Sequence, residues 1–127
     1  MYQKDVIHTD QAPAAIGPYS QAVRVGNTVY ISGQIPLNPK TMEMVTESFE
    51  AQAEQVVKNL RAICEAAGGD LNNLVKLTVL LSDMSHFATV NSVMEKYFQA
   101  PYPARAAFAV KTLPKDADVE IEGIMAL

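Results

Sequence analysis

Apolar residues recur with a helical period between residues 48 and 67, and this long stretch limits the folds open to the chain. The periodic positions are Phe49, Ala53, Val56, Val57, Leu60, Ile63, Cys64 and Ala67. A repeat close to 3.6 residues, with charged side chains on the opposite face, is typical of an amphipathic helix, which Gly68 and Gly69 end. Such a helix is roughly 30 Å long, so its apolar face needs an extended surface to pack on.

The segments on either side of this helix indicate strands. Residues 22–32 hold two β-rich runs around the turn Gly26-Asn27, which predicts a hairpin. Residues 75–82 have apolar side chains on both faces, the pattern of a strand that is covered on both sides. In that strand the alternation predicts that Val75 shares the face of Leu77.

A second helix is predicted over residues 85–99, with Asp83 or Ser85 as its N-cap. Its apolar stripe consists of Phe87, Val90, Met94, Tyr97 and Phe98. Two prolines after residue 100 end this helix. Two more strands, residues 105–111 and 118–126, are predicted to close the chain.

The resulting order of hairpin, helix, strand, helix, strand and strand predicts an α+β fold. No repeat or linker divides the sequence, so we expect a single domain over residues 1–127. Two helices cover only one face of such a sheet. The other apolar face therefore needs a neighbouring chain, and the pattern predicts an oligomer.

Composition excludes several classes of protein. Apolar residues make up 49% and charged residues 19%, which excludes a disordered chain. The sequence has ten Lys and Arg residues and fourteen Asp and Glu residues, which gives a net charge of −4, and it contains no cluster of basic residues. We therefore do not expect a nucleic-acid partner. One cysteine, two histidines and no phosphate-binding glycine motif predict neither a metal nor a cofactor. No apolar run suits a membrane span and residues 1–5 do not resemble a signal peptide, so we expect a cytoplasmic protein without membrane contact.

Polar side chains at positions that suit core residues indicate candidate functional groups, because an unpaired buried charge is expensive. Arg105 opens a small apolar strand on the same face as Ala107 and Ala109, where a planar guanidinium suits a bidentate carboxylate. A salt bridge to an acidic neighbour is the alternative. Glu120 and Glu122 share one face of the last strand and suit acid/base chemistry, although a hydrated sheet face is the commoner reason for such a pair.

Two further polar residues interrupt apolar or turn-rich segments. Asn91 lies on the apolar side of the second helix, where its amide either clamps a ligand or bonds to the backbone of its own chain. Tyr19 carries a hydroxyl at the tip of the stiff loop 16–20, or else anchors that loop as a half-buried aromatic. Cys64 lies in the core stripe of the first helix and reads as a buried apolar residue rather than a nucleophile.

Four spaced motifs resemble the RidA/YjgF family of 2-iminobutanoate/2-iminopropanoate deaminases. They are APAAIGPYSQA at 12–22, SGQIP at 32–36, PARAA at 103–107 and LPKD at 113–116, followed by VEIE at 119–122. The resemblance implies a chorismate-mutase-like α+β fold, a mixed β-sheet with two helices on one face, assembled as a homotrimer with clefts between subunits. It also implies hydrolysis of 2-aminoacrylate and 2-iminobutanoate to 2-keto acids and ammonia, without a cofactor.

Carried over position by position, the resemblance implies that Arg105 holds the substrate carboxylate and Glu120 orients the attacking water. Tyr19, Ser32, Gly33, Asn91 and Ala107 match further positions of the family's cleft, and many bacterial members have cysteine in place of Ala107. Tyr19 and Ser32 are expected from a different subunit than Arg105. Two other functions stay open: a non-catalytic module that binds small carboxylates or 2-keto acids, and a translation-inhibiting endoribonuclease, an activity attributed to some relatives.

Overall fold

The computed structural model describes residues 2–127. Six strands form one sheet: β1 (Asp5–Ile7), β2 (Ala22–Val25), β3 (Thr28–Gln34), β4 (Leu74–Leu81), β5 (Ala104–Ala109) and β6 (Val119–Ala126). The two α-helices are α1 (Phe49–Ala66) and α2 (Phe87–Tyr97). Three short 3-10 turns cover Leu71–Asn73, Met84–His86 and Pro114–Asp116. The α+β class is confirmed, and β1 is an addition to the sequence-based prediction.

The sheet has the order β1-β2-β3-β6-β4-β5, so the last strand lies between β3 and β4. All neighbours are antiparallel except β4 and β5, which run parallel with α2 as their crossover connection. The helices and the sheet enclose a core that includes Val56, Leu60, Leu77 and Ile121. In the part of the chain that the structure describes, no helix is long and apolar enough to cross a bilayer.

Helix boundaries follow local capping. Ser48 caps α1 by accepting a hydrogen bond from the backbone N–H of Ala51 at 3.0 Å, as N-cap chemistry requires. Asp83 accepts from the N–H of Ser85 at 2.8 Å, but it caps a 3-10 turn, and α2 begins only at Phe87. The second helix is therefore shorter at both ends than the predicted range 85–99.

The predicted face of Val75 is wrong. Leu74 pairs with Met125 and Lys76 with Ile124, so β4 carries an extra residue at this point. This bulge turns Leu74 into the core, where it is 4% exposed, and leaves Val75 49% exposed. Strict alternation holds only after the bulge, through Leu77, Val79 and Leu81.

Candidate active site

Glu120 lies in the wall of a cavity of about 430 Å³. Residues from three segments line it: the turn-rich stretch before β2, the end of β3 and the turn before β6. Tyr19, Ser32 and Gly33 are among the lining residues, so the fold brings four of the sequence-predicted site residues together. We call this space the Glu120 cavity.

A β-bulge at Ser32 and Gly33 shapes the floor of this cavity. Ile31 pairs with Gly123 and Gln34 with Ile121, so two residues of β3 face one residue of β6. Bulges of this kind redirect side chains beside functional sites. Here the glycine is required, because a Cβ at Gly33 would lie 2.9 Å from the carboxyl carbon of Glu120 and closer still to a carboxyl oxygen.

Hydrogen bonds attach the turn-rich segment to the bulge. The Ser32 hydroxyl donates to the carbonyl of Ser20 at 2.6 Å, and the Tyr19 hydroxyl accepts from the N–H of Ile16 at 3.4 Å. The serine proton is therefore engaged within the chain, whereas the tyrosine proton is available to a ligand. Tyr19 is half-exposed, consistent with a group at the cavity rim.

Two effects raise the pKa of Glu120 above its ordinary value. Burial of the carboxyl is the larger cause, because a desolvated carboxylate is disfavoured, and the nearby charge of Glu122 adds to it. Glu122 pairs with Thr78 and Glu120 with Leu80, so both carboxylates project from the sheet face opposite the helices. A carboxylate with a raised pKa is a better proton acceptor near neutral pH than an ordinary glutamate.

Arg105 lies in a second cavity of about 430 Å³, which we call the Arg105 cavity. Its lining consists of Asn91, Met94, Glu95, Tyr102, Pro103 and Arg105. The guanidinium Nη1 donates to Oδ1 of Asn91 at 2.7 Å and to Sδ of Met94 at 3.2 Å. The Phe87 ring faces the same guanidinium, with 4.9 Å between Cζ and the ring centroid.

Arg105 forms no ion pair with any carboxylate in residues 2–127. The salt bridge considered from the sequence is thus absent from the described chain, and neutral groups on α2 hold the cation instead. Asn91 bonds to this side chain rather than to backbone. Because the charge is not neutralised from within the chain, Arg105 is available to an anionic ligand.

The fold separates Arg105 from Glu120. Arg105 pairs with Leu77, whose side chain faces the helices, whereas Glu120 pairs with Leu80 on the opposite face. Strand spacing and rise put their Cα atoms roughly 14 Å apart across the sheet. Ala107 follows Arg105 on the helix-facing side of β5 and packs against the core. Within one chain, the Arg105 cavity and the Glu120 cavity therefore lie apart, on opposite faces of the sheet.

Several polar residues that support the Glu120 cavity were not singled out from the sequence. Gln21 is buried, with its Nε2 donating to the carbonyl of Pro13 at 2.8 Å and its Oε1 accepting from the N–H of Thr9 at 2.7 Å. Asn59 is also buried, and its Nδ2 donates to the carbonyl of Leu37 at 3.0 Å. A polar residue within the apolar stripe of α1 was the available signal for Asn59.

The described residues include no group of three or more His, Cys, Asp or Glu side chains that could hold a metal ion. The two cavities offer instead two cations, Arg105 and Lys115, two carboxyl groups, Glu120 and Glu95, and several hydroxyl and amide groups. This set suits a small anionic molecule and proton transfer to or from water.

This chain is similar to known proteins along nearly its whole length. The family model described as endoribonuclease L-PSP matches residues 9–127. The Mus musculus protein named 2-iminobutanoate/2-iminopropanoate deaminase is 54% identical over 121 residues, which are 95% of this chain and 90% of the mouse protein.

Solved structures also match this chain along nearly its whole length. RidA from the Antarctic bacterium Psychrobacter is 58% identical, with a TM-score of 0.94, and the match covers 97% of this chain and 99% of that chain. Escherichia coli TdcF, crystallised with bound serine, is 42% identical, with a TM-score of 0.93 over 97% and 98% of the two chains. The chain therefore belongs to the RidA/YjgF family, as its spaced motifs predicted.

Proposed function

We propose that this protein hydrolyses 2-iminobutanoate, 2-iminopropanoate and the enamine form of the latter, 2-aminoacrylate, to 2-keto acids and ammonia. The name and high identity of the mouse relative support the reaction class. The observation that carries the assignment is the pair of half-sites, an unpaired guanidinium and a desolvated carboxyl, which together match a small carboxylate and a hydrolytic water.

We propose that the active unit is a homotrimer in which the Arg105 cavity of one subunit meets the Glu120 cavity of the next. Arg105 and Glu120 lie on opposite faces of their own sheet, so a shared site requires two chains. A head-to-tail arrangement of this kind forms a ring when the rotation between neighbouring subunits closes. Half-exposed Tyr30 and Phe108 lie on the sheet face away from the helices and supply apolar surface for the contact.

In the proposed reaction, Arg105 binds the substrate carboxylate through two hydrogen bonds and so fixes the imine carbon. Glu120 orients a water toward C2, accepts its proton as the C–O bond forms, and returns the proton to nitrogen. Glu120 then transfers the proton of the new C2 hydroxyl to the nitrogen, the C=O double bond forms as the C–N bond breaks, and ammonia leaves the 2-keto acid. Tyr19 donates a hydrogen bond from its free hydroxyl, and Gly33 leaves room for the Glu120 carboxyl.

Replacement of the cation tests this assignment. Arg105→Lys keeps the positive charge but loses the planar pair of donors, so we expect kcat/KM to fall about 100-fold. The measurement is 2-keto acid release from imine generated by a threonine dehydratase, corrected for hydrolysis in water alone. Lys111→Arg, a reverse exchange at an exposed position, is the control. Activity of Arg105→Lys equal to wild type would refute the role of Arg105.

The same preparation distinguishes the two alternative functions. A binding module would retain 2-oxobutanoate without accelerating imine loss. An endoribonuclease, which the family description names, would cleave RNA in a manner that depends on Arg105. The net charge of −4 opposes RNA binding. Among the described residues, neither histidine lines the two cavities.

A further inference from the structure

We propose that Phe87 and Met94 are positioning residues for Arg105, and that the Nε and Nη2 edge of its guanidinium is the edge that binds the ligand carboxylate. This inference rests on the proposed function and adds the orientation of the ligand within it. It follows from the way in which α2 bonds to the Nη1 edge of the guanidinium and packs the Phe87 ring against it.

The first observation concerns the Nη1 edge. Nη1 donates to Oδ1 of Asn91 at 2.7 Å and to Sδ of Met94 at 3.2 Å. Met94 is buried, which keeps its sulfur in place. Within residues 2–127, Nε and Nη2 of Arg105 form no hydrogen bond. Three N–H groups on one side of the guanidinium are therefore free.

The second observation concerns the Phe87 ring. Cζ of Arg105 lies over this ring at 4.9 Å from its centroid, a distance at which a cation is attracted by the ring. Phe87, Asn91 and Met94 are spaced by four and three residues on α2, so they lie along one side of that helix. One side of α2 thus holds the guanidinium through two hydrogen bonds to Nη1 and a ring contact at Cζ.

Carboxylate geometry selects the remaining edge. A guanidinium offers two pairs of parallel N–H groups, one from Nη1 with Nη2 and one from Nε with Nη2. The first pair includes the nitrogen already held by Asn91 and Met94. The second pair is complete and unpartnered, so a carboxylate can take both bonds there without breaking any contact of Arg105 with α2.

All three groups on α2 that hold Arg105 are neutral. A carboxylate in any of these positions would pair with Arg105 and compete with an anionic ligand. An aromatic ring, an amide oxygen and a thioether instead orient the cation without cancelling its charge. Neutral side chains of this kind are therefore suited to position Arg105 for an anionic ligand.

A crystal structure with bound 2-oxobutanoate tests the edge directly. We expect the two carboxylate oxygens on Nε and Nη2, with Asn91 and Met94 still bonded to Nη1. A carboxylate on Nη1, or displacement of Asn91 from Arg105, would overturn the inference while leaving the proposed function intact. Failure of the wild-type protein to bind 2-oxobutanoate at any concentration would reject both.

Matched variants test the positioning role. Phe87→Leu and Met94→Leu keep apolar bulk but remove the ring or the sulfur, so each should raise the Kd for 2-oxobutanoate and the KM for imine about fivefold. We expect kcat to stay within about twofold, because the carboxylate contact is shared by substrate and transition state. Phe87→Tyr retains the ring and should restore wild-type binding.

The controls make the same chemical changes away from Arg105. Phe49→Leu alters an aromatic residue that stacks on His86 at 4.0 Å, and Met125→Leu alters a buried methionine of the core. Both should leave Kd and KM unchanged. If the control and test variants changed Kd equally, Phe87 and Met94 would contribute only to packing and not to the position of Arg105. That result would overturn the inference.

Discussion

Some residues of the candidate site lie so close together that one added carbon atom would disturb their arrangement. Gly33 is the sharpest case, because the bulge in β3 brings its Cα beside the carboxyl of Glu120, where any side chain would collide. The sequence motif SGQIP marks the position, but only the register between β3 and β6 gives the physical reason for it.

Gly33→Ala should inactivate the protein without unfolding it. The added methyl group displaces the flexible end of Glu120, so we expect kcat/KM to fall about 100-fold, the usual effect of misplacing a catalytic group by an ångström. The melting temperature should change little, because only a side-chain terminus has to move. Steady-state kinetics and thermal denaturation measure the two effects.

Gly17→Ala is the matched control for that variant. A Cβ at Gly17 meets the Tyr19 ring at 3.5 Å, an ordinary contact distance. This variant should therefore keep wild-type activity. If Gly33→Ala were as active as Gly17→Ala, the close approach of Gly33 to Glu120 would have no catalytic consequence.

At the scale of elements, β6 places two carboxylates on the same sheet face, and α1 supports the Glu120 cavity from the other side. Glu120 and Glu122 alternate with core residues, so their spacing follows from the strand period alone. Asn59 on α1 holds the carbonyls of Ile35 and Leu37, two residues that line the Glu120 cavity.

The paired carboxylates predict a pH effect. Glu120 must be ionised to accept a proton, and its raised pKa moves the acid limb of the kcat/KM profile above that of an ordinary glutamate. Glu122→Gln removes the smaller of the two causes, so the limb should shift toward lower pH and retain the larger part due to burial.

Glu43→Gln makes the same charge change at an exposed position and should leave the pH profile unchanged. A limb that stayed in place in Glu122→Gln would mean that Glu122 does not influence the ionisation of Glu120. A shift toward higher pH would contradict the sign of the charge effect.

Loss of Asn59 should weaken both the fold and the site. Asn59→Ala leaves the buried carbonyl of Leu37 without its donor, so we expect the free energy of unfolding to fall by about 2 kcal/mol. Urea denaturation measures it. Gln55→Ala removes only the donor to Oδ1 of Asn59, a half-buried contact of 2.9 Å, and should lower the free energy of unfolding by less than about 1 kcal/mol.

At the scale of the whole molecule, the sheet has one face covered by helices and one face open. Arg105 pairs with Leu77 on one side of β4 and Glu120 with Leu80 on the other, so the guanidinium and the carboxyl emerge on different faces of the sheet and three residues apart along that strand. The shared site proposed above therefore requires the Arg105 cavity of one chain to meet the Glu120 cavity of another.

Subunit mixing tests this division. Arg105→Lys and Glu120→Gln should each be inactive, yet unfolding and refolding them together should restore about a quarter of wild-type activity if three subunits mix at random and each site joins two chains. Light scattering should give about three times the 13.8 kDa of one chain. Mixed samples without activity would place both groups in one subunit and overturn the shared site.

Local sequence patterns were enough to predict most of the helices and strands and the candidate side chains. The spacing of apolar residues predicted α1 and the later strands, and the turn at Gly26-Asn27 predicted the β2–β3 hairpin. Arg105, Asn91 and Glu120 were identifiable as candidate site residues because they interrupt apolar patterns. These features depend on contacts within a few residues, which the order of side chains records directly.

The way in which those elements combine depends on long-range contacts. The insertion of β6 between β3 and β4, the bulges that expose Val75 and fit Gly33 against Glu120, and the hold of α2 on Arg105 all join residues far apart in the chain. Such contacts depend on strand register, and a shift of one residue exchanges the two faces of a strand. A local pattern cannot fix that register, so it left open on which face of the sheet Arg105 and Glu120 would each lie.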